Sequence, residues 1–214
     1  LLVLYIYCII DMERRIEGVK MKASLKKRMN AYLIDLIILL IVLSLIGFLY
    51  TPNNVSLNSQ MDLITVQYAN GDIQFSEYMT DLSALYKQID LNNIFLNIIN
   101  VLYIIAYFVV FPYFYHGQTV GKRIMNIEVK AKSNKKLTLL KLFLRNLIIT
   151  GLIYFMAVIV CSFTVHENYY FMIITALGII QIILILISII MVLYRTDRKG
   201  LHDIIAGTWV ASTK

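Results

Sequence analysis

Residues 31–50 read AYLIDLIILLIVLSLIGFLY, twenty positions with a single charge, Asp35, at the fifth. At 1.5 Å per residue this run is about 30 Å long as a helix, the thickness of a bilayer's hydrocarbon core. The stretch therefore predicts a membrane-crossing α-helix. Asp35 is the exception within it, because a carboxylate at that depth costs roughly 2.5–3.5 kcal/mol on insertion scales. An intramembrane Asp is a functional-site candidate for that reason.

Three more runs meet the same length test: Ile94–Tyr115, Leu147–Phe163 and Tyr169–Tyr194. Hydrophobic residues make up 59% of the 214 and charged residues 15%, with a mean hydropathy of +0.73, which is outside the range of soluble domains. The expected fold class is an all-α integral membrane protein with four transmembrane helices, 31–50, 94–115, 147–163 and 169–194, forming one domain.

The charges are segregated. Of 20 basic residues only Lys87 lies between the first two runs, in a segment that carries Asp62, Asp72, Glu77, Asp81 and Asp90. The positive-inside rule then predicts a multi-pass protein with both termini cytoplasmic. Topology and contact with anionic lipid account for the net charge of +7 and the pI of 9.3, so no nucleic-acid partner is expected.

Residues 1–20 open on an apolar run too short to span and without a basic lead, unlike a secretory signal. They are expected to be upstream sequence or a disordered extension, with the protein starting at Met21, or failing that Met12. Cys8 and Cys161 form no disulfide framework.

In the acidic loop, Leu82, Leu85, Tyr86 and Ile89 recur at helical spacing after Asp81, and Asn70-Gly71 marks a turn, which predicts a small helix on the outer membrane face. After the second run comes HGQTVGKR, residues 116–123. A phosphate loop needs four residues between its glycines and Ser or Thr after the Lys; here three intervene and Arg123 follows. Ile127, Val129 and Ala131 alternate with polar residues, Ser133-Asn134 offers a turn, and Leu137 and Leu139 resume the alternation, which predicts a short cytoplasmic β-hairpin. The segment from Arg195 onward is too polar to span and is expected at the interface, with Trp209 as anchor.

Four stretches together carry a resemblance: RMNAYLID (28–35), GQTVGKR (117–123), LRN (144–146) and GLHDIIAGT (200–208). In this order they resemble the bacterial RDD family over Met21 to Val210, whose eponymous Arg and two Asp map onto Arg28, Asp35 and Asp203. The resemblance implies a bacterial plasma-membrane protein. Transport has been proposed for the family, and some members are regarded as monovalent cation/proton antiporters.

Arg28 and Asp35 lie seven apart, nearly two turns, about 10 Å along one helix face. Arg28 is expected to snorkel to the headgroups rather than pair with Asp35. Asp203, His202, Arg145 and Asn146 are expected to gather near Asp35 at the inner mouth, with Arg28–Asp203 and Arg145–Asp35 as ion pairs. Such a cluster either braces the helices or exchanges a proton for a cation, since desolvation favours the protonated form of a carboxyl. Asn97, Asn100 and Tyr107 on the second run and Gln181 on the fourth form an expected polar path. The sequence has no nucleophile paired with a base and no metal-ligand spacing, so neither enzyme, cofactor nor metal site is expected. Proton-coupled carriage of a small cation or other solute by a homo-oligomer is the leading reading, and a membrane scaffold acting through the basic inner hairpin and tail is the alternative.

Overall fold

A computed structural model describes residues 22–50, 52–132 and 136–213. The expected start at Met21 and the turn at Ser133-Asn134 lie outside the described residues. The protein is mostly helical, with one two-stranded antiparallel sheet. Helix α1 (Leu25–Leu49), the stretch Ile94–Phe114 and the helix Glu167–Tyr194 are long and apolar enough to cross a membrane. Helix α1 starts six residues before the expected 31, since Lys26, Lys27 and Arg28 are good helix formers.

The chain divides into two compact units. The first holds the described residues up to Ile38, Tyr107–Arg145 and those from Ser188 onward. It contains the start of α1, the short helices α5 (Phe111–Phe114) and α6 (Val120–Ile124), strand β1 (Ile127–Ala131), helix α10 (Leu201–Ala206) and strand β2 (Thr208–Ser212). Ala23, Ala31, Ile127 and Val210 form its buried apolar cluster.

The expected β-hairpin is not formed. Strand β1 pairs with β2, Ile127 opposite Ser212 and Ala131 opposite Thr208, while Leu139 opens a helix. The alternation of Ile127, Val129 and Ala131 was a true strand signal, and all three are buried. The partner is the C-terminal segment, which folds as a short helix and a strand. Both outer edges of this pair are occupied. Val129 N–H donates to Gly117 O and Gln118 Nε2 to Ile127 O on one side, and Ala23 N–H donates to Val210 O on the other.

The second unit spans Leu39–Ala106 and Asn146–Ile187. The acidic loop folds as two helices, α2 (Val55–Asn70) and α3 (Phe75–Asn92), where one was expected. Gly71, with φ +80°, closes α2 in the left-handed conformation that glycine adopts without strain. Leu57, Ile64, Leu82 and Leu85 bury one another between the two helices.

The third expected span is broken. Helices α7 (Leu139–Ile149) and α8 (Leu152–Thr164) meet at an 82° bend at Gly151, whose φ is +73°. At 13 residues α8 is about 20 Å long, short of a bilayer's width by itself. The second span is α4 (Ile94–Ile105), a π-helical turn (Ala106–Val110) and α5. Pro112 lacks an N–H for the carbonyl one turn back and its ring crowds it, which explains the widened turn preceding it. The fourth is α9 (Glu167–Tyr194), whose Ile182, Ile183, Leu186 and Ile190 lie open on its surface.

Candidate functional site

All three residues of the Arg-Asp-Asp set fall in the first unit. Asp35 is 2% exposed, yet the three hydrogen-bond donors it meets are all neutral. Its Oδ1 accepts from the Tyr107 hydroxyl at 2.7 Å and the Gly121 N–H at 2.8 Å, and its Oδ2 accepts from the Thr119 hydroxyl at 2.5 Å. Each donor has a local cause. The π-helical turn re-aims Tyr107, and Thr119 is the extended N-cap of α6, leaving the next amides free of helical partners. Gly121 lies against α1: a Cβ there would overlap Ala31 O and lie 2.9 Å from Asp35 Cγ. Only glycine lets the backbone N–H approach so near. The GQTVGKR stretch is therefore a cradle for a carboxylate of the chain itself.

Asp203, fully buried at the first turn of α10, is satisfied by charge instead. Its Oδ1 is held by Arg145, whose Nη1 also reaches Thr208 Oγ1 at 3.1 Å, and Arg28 Nη1 lies 3.9 Å from Oδ2. The Gly200 N–H faces Oδ2 at 3.4 Å, half of a capping box whose other half a glycine cannot supply. Arg28 is bound to the C-terminal segment. Its Nη1 donates to Arg198 O at 2.6 Å and its Nη2 to Val210 O at 3.2 Å, tying α1 to the C-terminal segment.

The expected Arg28–Asp203 pair is thus present, but Arg145 pairs with Asp203 and not with Asp35. The folded tail brings Asp203 and Thr208 to the guanidinium together, whereas Asp35 is taken up by the loop. His202, 4% exposed, joins the group: its Nδ1 lies 2.5 Å from Ser188 Oγ and its Nε2 3.4 Å from Asp203 Oδ2. The order Ser188, His202, Asp203 is that of a hydrolytic triad, but Ser188 is 2% exposed and Gly200 lies against it, so its hydroxyl is covered.

Burial would raise the Asp203 carboxyl, but Arg145, His202 and Arg28 outweigh it and hold the group well below the usual carboxylate range. Burial, then Arg145, lowers His202 against the pull of Asp203, so the imidazole is neutral at pH 7. Lys122 on α6 is a further cation of this unit. Burial, then Arg145, pulls its ammonium down to about 8, against the opposing influence of Asp35 and Asp203. Sequence reasoning passed over Lys122, Thr119 and Gly121 after rejecting a phosphate loop. A Thr before Val-Gly at the mouth of a helix was the N-cap signal that could have found them.

Of the remaining expected residues, Tyr107 donates to Asp35. Asn97, Asn100, Asn146 and Gln181 belong to the second unit. Gln181 Nε2 donates to Ile148 O at 2.7 Å beside the bend, and the buried Gln181 Oε1 and Asn100 Oδ1 have no hydrogen-bond partner among the described residues. Among the described residues no cluster of His, Cys, Asp and Glu could hold a metal ion.

Apolar helices of spanning length, together with an Arg-Asp-Asp set whose two carboxylates are buried, define a membrane-type helical protein. The RDD family model matches residues 22–207, and the chain belongs to that family. It is similar to the uncharacterized protein YckC of Bacillus subtilis (strain 168), with 33% identity over 109 residues, 51% of this chain and 56% of that protein. The chain thus matches about half the length of that curated relative. No solved structure gives a significant match.

Proposed function

We propose that this protein sits in the bacterial plasma membrane with both termini in the cytoplasm and carries a small monovalent cation in exchange for protons, with Asp35 as the coupling carboxylate. One observation carries the reading: a buried carboxylate held, among the described residues, only by neutral donors has Lys122 close enough to influence electrostatically, and burial pulls that ammonium down to about 8. Loss of the Lys122 proton leaves the negative charge of Asp35 to be balanced by an incoming cation, and reprotonation expels it. A homo-oligomer would provide the pathway that four helices alone have little room for.

The scaffold alternative relied on a basic hairpin offering itself to a partner. It is the weaker reading because both edges of the strand pair are occupied within the unit. The deciding experiment is cation-induced proton movement in inside-out vesicles for the wild type, Asp35→Asn and Lys122→Gln at matched expression. Loss of flux in both variants with an unchanged elution profile supports the proposal; wild-type flux in both removes it.

A further inference from the structure

A cleft of about 570 Å³ opens on the first unit between β1, the turn at His116-Gly117 and the segment Lys136-Leu137. It is well separated in chemistry from the Asp35 cradle and lies within the roughly 300–1,000 Å³ usual for small-ligand sites. Its described lining residues are Tyr113, His116, Glu128, Lys130 and Lys136, with Gly117, Val129, Ala131 and Leu137. The turn and β1 approach closely here, since a Cβ on Gly117 would overlap Val129 O and come within 3.0 Å of Leu137.

Two features identify the occupant. The first is charge: among the described lining residues two lysines outnumber one glutamate, which sits 2.9 Å from Lys130. A phosphodiester carries one negative charge and matches this. A free phosphate or monoester carries nearly two and would be repelled by the carboxylate. The second is position. Tyr113, Phe114 and Tyr115 at the end of the second span are all exposed, an aromatic cluster of the kind found at headgroup level, so the cleft opens where headgroups lie.

We propose that this cleft seats the headgroup of an anionic phospholipid of the phosphatidylglycerol type. Its phosphodiester lies between Lys130 and Lys136, and its glycerol hydroxyls donate to Glu128. The proposal rests on the membrane reading and not on transport.

The test is native mass spectrometry of the detergent-purified full chain titrated with phosphatidylglycerol, phosphatidylcholine or inorganic phosphate. Phosphatidylglycerol should be retained in preference to phosphatidylcholine, and Lys130→Gln and Lys136→Gln should each weaken it roughly fivefold. Lys132→Gln, an exposed lysine outside the cleft, should leave it unchanged. Equal loss with Lys132→Gln, equal retention of phosphatidylcholine, or displacement by inorganic phosphate would overturn the assignment. No ion gradient is involved, so the result stands apart from the fate of the transport proposal.

Discussion

Replacing Arg145 by Met removes the main counter-charge of Asp203 while keeping most of the side chain's bulk. Asp203 is fully buried and Arg145 is 5% exposed, so neither can recover hydration in place. Arg28, at 3.9 Å and already donating to Arg198 O and Val210 O, cannot take over both carboxylate oxygens. Removing one partner of a buried pair costs about 3–5 kcal/mol. For a chain of this size, at roughly 2–4 °C per kcal/mol, melting temperature should fall on the order of 10 °C. Asp203→Asn should cost a similar amount by stranding Arg145, and the double variant Arg145→Met/Asp203→Asn should lose much less than the two single losses added. The assay is thermal melting in detergent, read by fluorescence-detected size exclusion over pH 3–8. A carboxyl whose folded pKa is depressed contributes stability that is present above its unfolded pKa near 4 and is lost as pH falls below it. The wild type should accordingly lose stability below about pH 4, and Asp203→Asn should flatten that loss. Single-variant losses that simply add, or an unchanged acid limb in Asp203→Asn, would refute the reasoning.

Gly121→Ala should cost about 1–3 kcal/mol by overpacking the α6–α1 approach, whereas Gly47→Ala, with nothing within 4 Å of its Cβ position, should be neutral or stabilising; comparative melting checks both. His202 is held neutral, so its stabilising contribution is present above an unfolded pKa near 6.5 and declines as pH falls. Melting temperature should drop from pH 7 to pH 5 and drop less in His202→Gln. Lys122 has the same sign but a higher range: an ammonium pulled down to about 8 destabilises the fold at pH 7, and the effect vanishes above pH 10.5. Lys122→Gln should melt above the wild type at pH 7, with the gap closing as pH rises toward 10; a lower melting temperature at pH 7 would contradict this.

The helices of spanning length were legible because twenty-residue apolar runs leave little alternative. The bend at Gly151 was not, since a lone glycine in such a run is equally compatible with a straight helix. Strand β1 was readable from its period of two, but its partner lies about 80 residues away, and local alternation carries no information about which strand will pair with it. The site divides in the same way. Asp35, Asp203, Arg28, Arg145 and His202 stood out as polar residues out of place, while their pairing depended on where the C-terminal segment folds. Tyr107 reached Asp35 through a π-helical turn, and no residue pattern announced which way that turn would aim it.

Two carboxylates buried in one unit are satisfied by opposite means, and the difference bears on what each can do. Asp203 is held by Arg145, with Arg28 at 3.9 Å, and its carboxyl lies well below the usual carboxylate range, so its charge is kept and its task is to hold the tail against α1 and α7. Asp35 is held by neutral donors that bring no countercharge. Lys122, in the same unit, has its charged form disfavoured by burial. A residue that costs stability at neutral pH is what a site kept for function rather than for folding should contain. The melting and flux behaviour of Lys122→Gln therefore form a linked test: a variant that is more stable and inactive fits a coupling role, whereas one that is more stable and fully active would mark Lys122 as an incidental burden on the fold.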